Sequence, residues 1–311
     1  MKTLLIHTGG TIGMVATDAG FAPAEGVVEG FLAAHAPDTV DLCLLSPLID
    51  SANATPADWG RIAATIADHY AAYDAFLVTH GTDTLAYTAA ALCFALEGLG
   101  KPVILTGAML PLTVEGSDGG QNLLDAIVAA HGAPAGVWVQ FAGRLLHGAR
   151  VRKSHSRALD AFAADPSDIA PRRLGDTLLR HTTGPAKTAF LSVAPGVPTD
   201  LFQHAAETCD GLILRCYGSG TVPGTPGLAR ALATARARDI PVLAVSQCPE
   251  GGMVLGTYAA AAILLDHGVI DGRDMTVEAA YAKLAYTLAE SHDPATRRAH
   301  LERSLCGEFT P

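Results

Sequence analysis

Short apolar runs that alternate with longer segments of helical composition constrain this chain more than any other feature of its sequence. Residues 3–6, 40–45, 75–78, 103–105 and 137–139 read as strands buried on both faces, since none leaves a polar side to water. Residues 56–70, 85–96 and 122–131 read as helices, the first opened by Thr55 as N-cap and Pro56 as first helical residue. Strands separated by helices need right-handed crossovers, so the sheet they build is largely parallel. Residues 143–153, rich in Arg and His, read as a hairpin. Residues 166–186 hold several prolines, adjacent Arg172 and Arg173 and few apolar runs, which suggests a linker. Beyond it a smaller pattern resumes, with strands near 189–193, 211–214 and 242–245 and helices near 227–237, 254–265, 277–290 and 295–305. The expected fold class is α/β: a larger N-terminal domain over residues 1–165, its mainly parallel sheet flanked by helices, and a smaller α/β C-terminal domain over residues 187–311.

Composition narrows the partners. The chain has 311 residues, 49% of them hydrophobic and 17% charged, which describes a well-buried globular protein. The 21 Lys and Arg against 31 Asp and Glu leave a net charge of −10, opposite to the basic stripe that a nucleic-acid surface needs. The six cysteines form no CxxC pair and suggest buried thiols in a reducing compartment, with no zinc site. Only Leu4, Leu5 and Ile6 separate Lys2-Thr3 from His7, far short of a signal-peptide core, and no apolar stretch reaches the roughly 20 residues of a membrane span. A soluble, cytoplasmic protein without a membrane partner is expected.

In open parallel sheets ligands bind at the carboxyl ends of strands, and the chemically informative residues lie in those loops. The first strand runs into His7-Thr8-Gly9-Gly10-Thr11-Ile12-Gly13, where glycines permit a sharp turn and leave amide groups free to donate. A dinucleotide-binding turn is the competing reading, but the glycine spacing does not fit G-x-G-x-x-G. The run 75–78 leads into Thr79-His80-Gly81-Thr82-Asp83-Thr84, where Thr82 or Asp83 either caps the following helix or takes part in chemistry. A hydroxyl needs a base before it attacks, and Lys153, in Val151-Arg152-Lys153-Ser154-His155, is the candidate. A lysine beside other cations, or partly desolvated, is biased toward the neutral form that accepts a proton.

Together these segments resemble the bacterial L-asparaginase family, with most similarity to its cytoplasmic type I branch. The similarity extends to Asp50-Ser51-Ala52-Asn53, to Leu105-Thr106-Gly107-Ala108-Met109, to Gly116-Ser117-Asp118-Gly119-Gly120-Gln121-Asn122-Leu123 and, in the C-terminal half, to Cys216-Tyr217-Gly218-Ser219-Gly220, Ser246-Gln247-Cys248 and residues 268–276. The resemblance implies hydrolysis of L-asparagine to L-aspartate and ammonia, with Thr11 as nucleophile of an acyl-enzyme. It implies that Thr82, Asp83 and Lys153 form a second catalytic cluster with Lys153 as base, and that Asp83 also grips the substrate α-amino group. It further implies substrate contacts from Asp50, Ser51 and Gly81, with Ser51 on the α-carboxylate, and oxyanion donors at the Thr11 and Thr82 backbone. The carbonyl of Ala108 would face the amide nitrogen. No metal or organic cofactor is implied, and the family's habit points to a homodimer or homotetramer.

Two positions depart from the family pattern. Phe21 stands where the family has a tyrosine on a mobile loop, keeping the ring and losing the hydroxyl. Thr221 stands where the family has an asparagine that reaches a neighbouring subunit's site. They leave open a catalytically weak amino-acid-binding homologue, just as the single methylene between asparagine and glutamine leaves open a glutaminase or another amidase.

Overall fold

In the computed structural model, which describes residues 1–18, 20–36 and 40–311, the first apolar run becomes β1 (Thr3–Gly9), buried at every position. A ribbon of β2 (Met14–Thr17) and β3 (Gly20–Pro23) follows, then α1 (Val27–His35), β4 (Val40–Ile49), α2 (Pro56–His69), β5 (Ala75–Thr79) and α3 (Leu85–Ala95). The chain continues through β6 (Leu96–Glu97), β7 (Pro102–Thr106), α4 (Gly119–Gly132), β8 (Gly136–Phe141), β9 (Arg144–His147), β10 (Val151–Lys153), β11 (Phe162–Ala164) and β12 (Leu179–Arg180). At α2 the Asp58 carboxylate accepts both the Thr55 N–H and its hydroxyl at 2.9 Å, so the expected N-cap is braced from the first turn.

The main sheet runs β4-β1-β5-β7-β8-β9, parallel from β4 to β8, with β9 antiparallel at the edge. From β1 the chain crosses to β4 on one side, then returns to β5 on the other. The strand order therefore reverses between β1 and β5, and a parallel sheet offers its ligand crevice at such a reversal, outside the carboxyl ends.

The structure corrects several sequence expectations. Only Leu45 and Ile49 of β4 are buried, because β4 is an edge strand with one flank unpaired. The hairpin lies earlier than expected: Ala142 and Gly143, both at positive φ, turn β8 into β9, while β10 pairs instead with β11. Residues 166–180 of the expected linker belong to the first of two units, Met1–Arg180 and His181–Pro311. There Leu179–Arg180 pairs with Leu96–Glu97, and the Arg173 guanidinium meets Glu97 at 2.9 Å.

The second unit carries β13 (Thr188–Ser192), α5 (Asp200–Thr208), β14 (Gly211–Cys216), α6 (Pro226–Ala237), β15 (Val242–Ser246), α7 (Ala262–Asp266), β16 (Ile270–Asp271), α8 (Val277–Glu290) and α9 (Pro294–Glu302). Its sheet is parallel in the order β13-β14-β15-β16. One apolar face packs Phe202, Ala206, Leu228 and Leu232 against Leu212 and Leu214; the other packs Ala280, Leu284 and Leu288 against Ile213, Leu243 and Val245. The helix expected over 254–265 shrinks to α7 behind a single 3-10 turn, Ala259–Ala261, since Gly256 at φ 93° leaves the helical region.

Lys283 and Glu308 form a fully buried ion pair at 2.6 Å in this unit. The Lys283 ammonium also donates to the carbonyls of Leu301 and Arg303, and the Glu308 carboxylate accepts the N–H groups of Leu305 and Cys306. Such saturation is what makes burying two charges tolerable. Lys283→Met, which strands Glu308, is expected to lower stability by about 3–5 kcal/mol. Denaturant unfolding checks this, and a midpoint equal to wild type would refute it.

Candidate functional site

The site is built from loops at the carboxyl ends of β1, β4, β5 and β7. Gly9 and Gly10 take φ values of 114° and 84°, which turn the chain sharply out of β1. A side chain on Gly10 would overlap the backbone of Gly81, and one on Gly81 would overlap the Ser51 hydroxymethyl. A Cβ on Gly107 would overlap the His80 carbonyl, and His80 N–H donates to Thr106 O at 2.8 Å. Missing side chains thus let the loops bearing Thr11, Thr82 and Ala108 approach backbone to backbone, with the Ser51 side chain seated against Gly81.

Thr11 heads the 3-10 turn Thr11–Gly13 and is partly exposed; Thr82 is buried. The Lys153 ammonium, carried across from β10, donates to Thr82 Oγ1 at 2.9 Å and meets Asp83 Oδ1 at 2.9 Å. The sequence pointed to cations around Lys153, but its immediate charged partner is a carboxylate; the neighbouring Arg152 pairs with Asp165 at 3.2 Å. Neither Thr82 nor Asp83 caps α3. Its N-cap is Thr84, whose hydroxyl donates instead to Ser51 O at 2.8 Å and ties the β4 loop to the β5 loop. With the capping reading removed, Thr82 and Asp83 are left facing one lysine.

Asp50 has a local duty: its carboxylate accepts the Ala52 N–H and the Asn53 amide, each at 3.2 Å, and so shapes the turn that presents Ser51. Ala108 is fully buried. The Asp118 carboxylate braces the chain after it by accepting the N–H groups of Met109 and Leu110. Phe21 lies in β3 opposite Ala16 and is 52% exposed. Thr221 belongs to the second unit, where its carbonyl accepts the Tyr217 N–H in the turn after β14.

In the framework behind these residues, sequence reasoning assigned no role to Asn122, whereas His80, beside a glycine turn, reads as a packed, hydrogen-bonded histidine. Asn122 donates to Gly107 O and to Asp118, and accepts the Ala142 N–H, joining the β7–α4 loop to the β8–β9 turn through one buried amide. His80 is held through Gly81 O at 2.8 Å and Thr88 Oγ1 at 2.9 Å; burial pushes its pKa down, against the Gly81 carbonyl and Asp58, which raise it. For Asn122 the signal lay in Asp118-Gly119-Gly120-Gln121-Asn122, polar residues opening a helix beside a glycine turn. Among the described residues no cluster of His, Cys, Asp or Glu has the makings of a metal site, and no helix is long and apolar enough to cross a membrane.

Comparison with known proteins identifies the family. Residues 2–174 match the family described as "Asparaginase, N-terminal", and residues 187–301 match the "Glutaminase/Asparaginase C-terminal domain". The chain is 39% identical to L-asparaginase 1 of Escherichia coli K12 over 327 residues, covering 98% of this chain and 97% of that one. The solved L-asparaginase I of Vibrio cholerae superposes with a TM-score of 0.88 at 34% identity, covering 100% of this chain and 99% of its own. The thermostable L-asparaginase of Thermococcus kodakarensis superposes with a TM-score of 0.87 at 32% identity, each chain covered fully.

Proposed function

This chain belongs to the asparaginase family, and we propose that it hydrolyses L-asparagine to L-aspartate and ammonia through a threonyl ester formed in the crevice between β1 and β5. The observation that carries the reading is the meeting of Thr82, Asp83 and Lys153 at 2.9 Å, in a loop whose Gly81 backbone lies against Gly10 of the Thr11 turn. Thr11 Oγ1 attacks the side-chain amide carbon, and the oxygen charge that develops is met by backbone N–H groups of the two turns. The C–N bond breaks, ammonia leaves with the nucleophile's proton, and water then cleaves the ester. Lys153 accepts or returns a proton at Thr82 Oγ1, and Asp83 balances the ammonium. The substrate's α-carboxylate is read by Ser51 and its α-amino group by Asp83, with Gly81 and Ala108 lining the pocket.

Nothing in this chemistry calls for a metal or an organic cofactor, because nucleophile, base and oxyanion donors suffice. The same reading extends to a homodimer or homotetramer in the cytoplasm. Large apolar side chains exposed on the second unit, among them Leu201, Val254, Tyr258 and Leu265, support association, and six cysteines that form no disulfide fit a reducing compartment. The test is ammonia release from purified protein at millimolar L-asparagine, with L-glutamine run alongside. Faster turnover of asparagine is expected; no ammonia from asparagine, or a preference for glutamine, would overturn the assignment.

A further inference from the structure

His7 is fully buried on β1 and touches the roots of both threonine loops. On one side its Nδ1 lies 2.7 Å from Thr79 Oγ1, the last residue of β5 before the Thr82 loop. Thr79 is itself fixed, since its carbonyl accepts the Thr8 hydroxyl at 2.7 Å. On the other side the ring packs under the Thr11–Gly13 turn so closely that a Cβ on Gly13 would stand 3.1 Å from both Cε1 and Nε2. The Nε2 atom is buried without a protein hydrogen-bond partner among the described residues, and so is Oε2 of Glu29 on α1, the charged group that acts on this ring. The remaining neighbours are neutral: Leu44 beside it in β4, Thr79 in β5 and Gly13 in the turn.

We propose that His7 is the positioning residue of the nucleophile turn, a buried imidazole that ties the Thr11 turn to the base of the Thr82 loop. This rests on the assignment of Thr11 and Thr82 as the reacting hydroxyls. A ring hydrogen-bonded on one edge and packed on the other sets the separation of the two loops, and backbone contact at Gly10 and Gly81 leaves no slack to absorb its displacement. Burial pushes the His7 pKa down while Glu29 pulls it up. The uncharged ring is therefore the form that supports turnover, and protonation at lower pH inserts a cation beneath the turn.

The test compares wild type with His7→Leu, His7→Gln and Glu29→Gln, measuring kcat and KM for asparagine across pH together with the thermal midpoint. In His7→Leu, kcat is expected to fall about 10–100-fold with KM little changed, since a small misplacement of the nucleophile costs turnover rather than substrate binding. His7→Gln, whose amide can still reach Thr79, is expected to recover part of the loss. Glu29→Gln removes the influence that raises the His7 pKa, so the acid limb of kcat is expected to move to lower pH, and in His7→Gln that limb is lost. If His7→Leu fails to fold, the Glu29→Gln profile and an NMR titration of the His7 ring decide the matter without it. A kcat unchanged in His7→Leu, or an acid limb and ring titration unmoved by Glu29→Gln, would overturn the proposal. Wild-type ammonia release in the same assay tests the underlying function separately, so the two failures are told apart.

Discussion

Thr11→Ala is expected to lower kcat for asparagine by about 10⁴-fold or more, because removing a nucleophile abolishes the covalent route and leaves only binding and oxyanion donors. The expectation needs testing because the two threonines are not equivalent in the structure. Thr82 is buried with an amine 2.9 Å from its oxygen, whereas Thr11 stands partly exposed on a glycine-bounded turn. A base within reach would by itself favour Thr82 as the attacking group; the partial exposure of Thr11, and the resemblance that assigns it the attack, favour Thr11. Rapid acid quench during turnover separates the two. The peptide containing Thr11 should gain the mass of an aspartyl group, the adduct should persist in Thr82→Ala, and it should vanish in Thr11→Ala. An adduct found on Thr82 instead would reverse the two roles. KM in Thr11→Ala should change little, since the carboxylate and amino group of the substrate are held elsewhere.

The parts of this site differ in how far they could be read from sequence, for physical reasons. Strands β5 and β7 announce themselves because central parallel strands are buried on both faces and must be apolar throughout. β4 misled because an edge strand can carry apolar residues such as Leu44 into partial exposure. α5 escaped notice because only Phe202, Ala205 and Ala206 of it are buried, too narrow a stripe to stand out in nine residues. α1 escaped for another reason: it starts after Gly26 in a left-handed conformation, without a side-chain cap. Thr11, Thr82, Asp83 and Lys153 were singled out through the resemblance of whole segments, since their individual types favoured a cap or a surface lysine; the structure brings the last three together. The long-range bonds that hold them were not legible. His7 meets Thr79 across 72 positions and Asn122 meets Ala142 across 20, and no local pattern encodes a hydrogen bond of that range.

The second large effect lies in the Lys153 cluster. Lys153→Met is expected to lower kcat by about 10³-fold, within the range for loss of a positioned acid–base group. Lys153→Arg should not rescue it, because a guanidinium keeps its proton and cannot serve as a base, although it preserves the charge opposite Asp83. Thr82→Ala should cost a similar factor, and the double variant Thr82→Ala/Lys153→Met should be scarcely worse than either single one. Two groups that pass one proton between them act as a unit, and their deletions do not add. Asp83→Asn should behave differently, with a higher KM as well as a lower kcat, because the same carboxylate faces the Lys153 ammonium and, in this reading, the substrate's amino group. Steady-state kinetics of the five variants decides the matter. If the Thr82 and Lys153 losses multiply, or if Lys153→Arg keeps full turnover, then the 2.9 Å contact is a structural ion pair with a hydroxyl beside it, and the proton must travel by another route.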